Sequence, residues 1–152
     1  MERAEKAREY FKQGYACSQA VALAFVDLTA WSEDEIKKAT LPFGGGLGRL
    51  RLTCGAVSGA AFVIGALLAK AENSPENKLN TYAITREFCE KFQAEHGSLI
   101  CADLLTGAKL KAEKGGVPEA RTAEYYKKRP CDEIVFTAAE ILETILVQKG
   151  AL

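Results

Sequence analysis

The 152 residues have the length of one domain, and 48% apolar with 26% charged residues is ordinary globular usage, which excludes a second catalytic domain and a disordered chain. Twenty Lys and Arg balance twenty Asp and Glu, so no overall basic field is available for a nucleic-acid backbone or an anionic membrane, and neither is an expected partner. A single histidine excludes a His-rich metal site and any mechanism that needs two imidazoles.

Turn signals cut the chain into helix-length pieces with almost no period-2 alternation. The predicted fold is all-α: one domain over residues 1–152, a compact helical bundle around a central apolar glycine-containing helix. Arg3 to Lys12 reads as an amphipathic helix closed by Gly14. Cys17 to Thr29 follows, with an apolar face through Val21, Leu23, Ala24, Phe25 and Leu28. Ser32 and Glu35 form a capping-box signature for a short helix ending near Thr40, where Leu41-Pro42 stops it. Gly44-Gly45-Gly46-Leu47-Gly48 is too flexible for helix and predicts a loop.

Leu52 to Ala69 carries no charge over 18 positions, the lower end of a membrane span. Gly55, Ser58, Gly59, Ala60, Ala61 and Gly65 lower its hydropathy, so the segment reads as a buried central helix and no membrane span is expected. Gly55 and Gly59, four apart, share a face on which another helix can approach closely. Ser74-Pro75 supplies an N-cap and a favoured first-turn proline for a helix with Leu79, Tyr82, Ala83, Phe88, Cys89 and Phe92 on its apolar side, up to Glu95. Gly97-Ser98 breaks it, and Ser98 is the expected cap of a short helix through Cys101 to Leu105, ended by Gly107. Ala108 to Pro118 is polar and reads as an exposed connector with no further role. A brief helix over Ala120 to Lys128 precedes Pro130 and a final helix, Asp132 to Gln148, with Ile134, Val135, Ala138, Ile141, Leu142 and Ile145 at helical spacing.

Five cysteines are the unusual feature. Met1 to Gln13 is charged and carries no signal-peptide stretch, so the expected location is cytoplasmic, a reducing compartment where persistent disulfides are rare. Cys17, Cys54, Cys101 and Cys131 all fall at or within one turn of a predicted helix start, whereas Cys89 falls mid-helix. A helix start presents unpaired N–H groups and partial positive charge, which favours thiolate over thiol. Each cysteine alone is accounted for as a small buried hydrophobe. The set of four points to a convergent thiol site, with Cys54 the expected reactive thiolate because a glycine loop and two arginines precede it. The spacings of 37, 47 and 30 residues lack the close pairs of structural zinc sites, ferredoxins and thioredoxin-like sites. A site assembled by the tertiary fold remains, in which the four thiols either pair reversibly or ligate an iron–sulfur cluster or another metal.

The loop residues Gly44, Gly45, Gly46 and Gly48, with Arg49, are the expected cofactor-side elements: the glycines let backbone pass close to the Cys54 thiolate or a cofactor, while Arg49 and Arg51 add positive charge. The Gly-Lys-Ser/Thr ending of a phosphate-binding loop is missing, Arg49 stands where a dinucleotide fingerprint has its third glycine, and no strand precedes it. His96 reads as a helix C-terminal residue, with a proton shuttle near Cys101 as the alternative. Trp31 and the tyrosines are too dispersed for a base-stacking platform, and Glu33-Asp34-Glu35 is a favourable first helical turn.

Tyr10-Phe11, Gly14-Tyr15-Ala16-Cys17-Ser18-Gln19-Ala20-Val21, Gly44 to Arg49, Cys54-Gly55-Ala56-Val57-Ser58-Gly59, Cys101 and Cys131 together resemble the redox-active family named after its C…GCAxxG…C…C pattern. The resemblance spans Ala4 to Ile134, and its four cysteines correspond to Cys17, Cys54, Cys101 and Cys131, with no counterpart for Cys89. It implies a small helical protein with a redox role inferred from its cysteines. A related domain in split-Soret cytochromes is associated with an iron–sulfur cluster, but this chain lacks Cys-x-x-Cys-His, so no covalent haem is expected.

The expected function is thiol–disulfide or electron-transfer chemistry at the four cysteines. The alternatives are an iron–sulfur or other metal-binding protein with the same four as ligands, and a non-enzymatic helical interaction protein. The cofactor, substrate and redox partner are left open by the sequence, as is a homodimer.

Overall fold

The structure, a computed structural model, describes residues 2–152; Met1, counted above in the charged N-terminal stretch, lies outside them. Among the described residues there are eight α-helices and no strand: α1 (Glu2–Lys12), α2 (Cys17–Leu23), α3 (Glu33–Thr40), α4 (Gly55–Leu68), α5 (Pro75–His96), α6 (Cys101–Gly107), α7 (Ala123–Lys128) and α8 (Cys131–Gln148). The all-α bundle is therefore the fold, and α4 is its central apolar helix, packed against α2, α3, α5 and α8. No helix is long and apolar enough to cross a membrane among the described residues.

Local signals set most of the helix ends. Ser32 accepts from the Glu35 N–H at 3.1 Å while Glu35 accepts from the Ser32 N–H at 2.9 Å, closing the capping box that starts α3. Ser74 accepts from the Asn77 N–H at 3.1 Å, and Gly97 in the left-handed conformation ends α5.

Other boundaries depart from the sequence reading where a distant segment intervenes. The second helix stops at Leu23 instead of Thr29, and a 3-10 turn over Val26–Leu28 follows. Arg3 of α1 causes this change, donating to the Ala24 carbonyl at 2.9 Å and clasping both Asp27 carboxylate oxygens at 2.7 and 2.9 Å. The central helix starts at Gly55 instead of Leu52, because residues 51–54 instead pair antiparallel with residues 99–102. Ser98 is not the cap of α6; its hydroxyl accepts from the Ile100 N–H and donates to Asp103, so the turn completes before the helix begins at Cys101. Thr122 caps α7, which starts at Ala123.

Phe11, Phe25, Phe88, Phe92, Leu142, Ile145 and Leu146 fill the core, each contributing about 1.5–3 kcal/mol of apolar burial. In α5 only Phe88 and Phe92 are buried, and the expected apolar positions Leu79 and Tyr82 stay exposed in its first half. The small-residue face of α4 does what its spacing implies. A methyl group on Gly59 would lie 2.5 Å from the Ser18 carbonyl oxygen, and one on Gly55 would lie 3.3 Å from Cys17 Cβ. The absence of side chains at these two positions is what lets α2 lie directly on α4.

Candidate functional site

Each of the four cysteines singled out by sequence begins a helix: Cys17 opens α2, Cys101 opens α6, Cys131 opens α8, and Cys54 is the N-cap of α4. All four line one cavity of about 470 Å³, together with Gly44, Gly45, Gly46, Gly48 and Arg49. Cys89 lies in mid-α5, outside this cavity, and all five cysteines are free thiols.

Three pieces of backbone geometry bring the four helix starts together. The Cys54 N–H donates to the Leu99 carbonyl at 2.8 Å and the Cys101 N–H donates to the Leu52 carbonyl at 2.6 Å, so the short antiparallel pairing sets α4 and α6 side by side. The glycine face of α4 brings in Cys17 at the start of α2. Ser18, buried beside it, donates to the Thr40 carbonyl at 2.6 Å, and Gln19 donates to the Lys37 carbonyl at 2.9 Å, fixing that start against α3. The packing of α8 on α1 and α2 then places Cys131 opposite.

The glycine loop forms the remaining wall. Gly45, Gly46, Leu47, Gly48 and Arg49 all have positive φ, a left-handed turn that glycine adopts readily and that is strained for Leu47 and Arg49. Backbone bonds hold it, from the Arg51 N–H to the Gly45 carbonyl and from the Leu52 N–H to the Gly46 carbonyl. A methyl group on Gly46 would lie 2.7 Å from Cys101 Cβ, so backbone does pass close to a cysteine, but that cysteine is Cys101.

The spacing of the cysteines, the Cys54-Gly55-Ala56-Val57-Ser58-Gly59 helix start and the shared cavity agree with a comparison against known families: residues 15–145 match the family described as "Putative redox-active protein (C_GCAxxG_C_C)". The chain belongs to this family. Neither a curated protein nor a solved structure matches it.

Within this C_GCAxxG_C_C chain the four thiols are not equivalent. Hydrogen bonding with Cys17 holds the Cys131 thiol below its ordinary value despite burial, aided by the nearby Arg129, Arg121 and Arg51. The same bond, together with burial, raises Cys17 well above the usual thiol range. The arginines favour charge on Cys131, which stands two positions after Arg129. Cys54 is 5% exposed, and burial pushes its thiol up to about 12 even though the Ala56 and Val57 N–H groups favour the thiolate. Desolvation therefore opposes the helix-start argument for Cys54 as the reactive thiolate. Burial also raises Cys101, opposed by Arg51, whose Nη1 donates to its sulfur at 3.7 Å.

The residues between α6 and α7 do more than connect. Arg49 Nη1 donates to the Gly115 carbonyl, the Gly115 N–H donates to the Arg49 carbonyl at 2.9 Å, and Arg51 Nε donates to the Glu113 carbonyl at 2.8 Å. This strap closes one side of the cavity, and Glu119 at its end pairs with both Arg129 and Arg49. Arg121 donates to the Phe11 and Tyr15 carbonyls at 3.0 and 3.1 Å and lies over the Tyr125 ring at 4.9 Å. The sequence reading passed over Glu119, Arg121 and Arg129 and took Tyr125 as core or rim; the basic run Lys127-Lys128-Arg129 just before Cys131 was the available signal. His96 ends α5 beside Phe92, its Nε2 buried without a partner, and it does not line the cysteine cavity, so the shuttle alternative finds no support in its position.

Thiolates are suitable ligands for an iron–sulfur cluster or a soft metal ion. Among the described residues, however, no three His, Cys, Asp or Glu side chains gather closely enough to hold a metal ion. The four thiols share a cavity without meeting at one point, so this arrangement does not fit a four-ligand centre.

Proposed function

We propose that the chain carries out reversible thiol–disulfide exchange through the pair Cys17 and Cys131, with Cys131 as nucleophile and Cys17 as resolving thiol. The carrying observation is that Cys17 and Cys131 open onto one cavity beside Arg51, Arg121 and Arg129, and the pairing with Cys17 holds the Cys131 thiol below its ordinary value. The Cys131 thiolate attacks one sulfur of a substrate disulfide, forming a mixed disulfide and expelling the other substrate sulfur as a thiolate. Cys17, whose proton passes to the departing thiolate or to water, then attacks Cys131 Sγ, forms the Cys17–Cys131 disulfide and expels the second substrate thiolate. Two electrons pass from the cysteine pair to the substrate disulfide, and the reverse sequence oxidises a dithiol. Cys54, held as a thiol by burial, and Cys101, positioned by Arg51, complete the cavity wall, while Gly46 leaves the space above Cys101.

Reduced protein treated with a small disulfide, then alkylated and peptide-mapped, tests this reading. The expected product has Cys17 linked to Cys131, and Cys17→Ala should accumulate the mixed disulfide on Cys131. A disulfide that excludes both residues, or no oxidation by any disulfide, overturns it.

A further inference from the structure

The cavity carries a charge bias that the thiol chemistry alone does not require. Arg49, Arg51, Arg121 and Arg129 face it, against the single carboxylate of Glu119. In a chain whose twenty basic and twenty acidic residues cancel, this is a local concentration built by the fold. Arg51 and Arg129 are 6% and 8% exposed, so their charges act in a medium that screens them weakly. Most of their hydrogen-bond partners are neutral: Arg51 holds the Glu113 carbonyl and the Cys101 sulfur, and Arg121 holds two carbonyls. These partners fix the guanidinium groups in place without cancelling their charge. One thiolate at Cys131 and one carboxylate at Glu119 leave positive charge uncompensated.

Resting on the thiol–disulfide reading, we infer that the substrate is a small disulfide or thiol bearing carboxylate groups, held by Arg51 and Arg129 while its sulfur meets Cys131. Among the described residues, hydrogen bonds to protein engage Nε and Nη1 of Arg51 and Nη2 of Arg129, and none engages Nη2 of Arg51 or Nε and Nη1 of Arg129, which keep their donor capacity for an incoming acceptor. The guanidinium fork matches a carboxylate in geometry as well as charge. The volume of about 470 Å³ suits a small molecule and is too confined for a folded partner to enter.

The test compares three small disulfides on the reduced protein: 3,3′-dithiodipropionate, which is dianionic; bis(2-hydroxyethyl) disulfide, which is neutral; and cystamine, which is dicationic. Oxidation of Cys17 and Cys131 is followed by mass spectrometry. At low ionic strength the dianion should react at least about tenfold faster than cystamine, and the gap should narrow as salt is added. Equal rates, or cystamine ahead, overturn the inference and leave the redox reading intact. A second measurement does not depend on redox chemistry: suberate, the carbon counterpart of dithiodipropionate, is titrated into the Cys17→Ser/Cys131→Ser protein with its neutral diamide as control. Saturable binding of suberate alone supports the inference even if no disulfide reacts, an outcome that overturns only the redox reading. Equal or absent binding of the two overturns the inference.

Discussion

Cys17 and Cys131, 114 residues apart in the chain, open α2 and α8 onto one cavity, and their pairing shifts the two thiols in opposite directions. That one contact breaks the symmetry of four cysteines placed alike at helix starts. It holds Cys131 below and Cys17 above the ordinary thiol value.

Removal of the donor should be visible in the titration of Cys131. A hydrogen bond to a charged group contributes about 1.5–3 kcal/mol, or about one to two pK units. In Cys17→Ala the pH dependence of Cys131 alkylation should move upward by that amount, and in Cys17→Ser, which keeps an O–H donor, most of the shift should be absent. Profiles in both variants that match the unmodified protein would show that the arginines alone depress Cys131.

Alkylation of the unmodified protein should rank Cys131 ahead of Cys54 by at least about tenfold at neutral pH, since the thiolate is the reacting form. Cys54, pushed up to about 12 and buried, should resist labelling until the protein unfolds. Competitive labelling with mass-spectrometric readout decides this, and labelling of Cys54 first would contradict the desolvation argument.

Cys54 also predicts an alkaline loss of stability. Its folded value lies near 12, above the unfolded value of about 8.5, so its contribution is complete below about pH 8.5 and is lost as pH rises toward about 12. Once the unfolded chain ionises, stability should fall by up to about 1.4 kcal/mol per pH unit from this group. Urea unfolding between about pH 8.5 and 10 should show a shallower slope in Cys54→Ala than in the unmodified chain, even though the variant is less stable at neutral pH. Parallel slopes would mean the thiol is already ionised in the native state.

The glycines of the loop separate into two kinds. Alanine at Gly48 of the loop meets left-handed backbone but free space, alanine at Gly116 of the strap meets left-handed backbone and only ordinary contact with Arg49 Nη1, and each should cost about 1–2 kcal/mol. Alanine at Gly46 adds a clash with Cys101 Cβ, the Leu52 nitrogen and Arg51 Cα, and should cost about 1–3 kcal/mol more. Gly46→Ala should also change the alkylation rate of Cys101, which Gly116→Ala leaves alone. Denaturation midpoints and Cys101 labelling for the three variants provide the comparison.

Two glycines of α4 should respond in opposite directions. Gly59→Ala drives a methyl into the Ser18 carbonyl and should destabilise by about 1–3 kcal/mol. Gly65 has nothing within reach of an added methyl, so Gly65→Ala should stabilise by about 0.5–1 kcal/mol through helix propensity. Thermal unfolding distinguishes them, and destabilisation at Gly65 would indicate a neighbour at that face.

By itself the sequence determined the features whose causes are local. Apolar periodicity, the Ser32–Glu35 capping box, the Ser74-Pro75 start and the Gly97 stop define the helices, and the same signals place Cys17, Cys54, Cys101 and Cys131 at helix starts with Cys89 apart. The four-residue spacing of Gly55 and Gly59 announced the close approach of another helix. What it could not determine depends on which segments meet. Arg3 shortens α2 from a different helix, and pairing of residues 51–54 with residues 99–102 delays α4. The strap from Glu113 to Glu119 becomes a cavity wall only because Arg49 and Arg51 reach across more than sixty residues to hold it. Reactivity likewise belongs to the tertiary structure: a helix start favours a thiolate by a local field, but desolvation and the identity of the facing group decide the outcome. Desolvation raises Cys54, the facing Cys17 and the arginines lower Cys131, and both effects are set by packing between parts of the chain far apart in sequence.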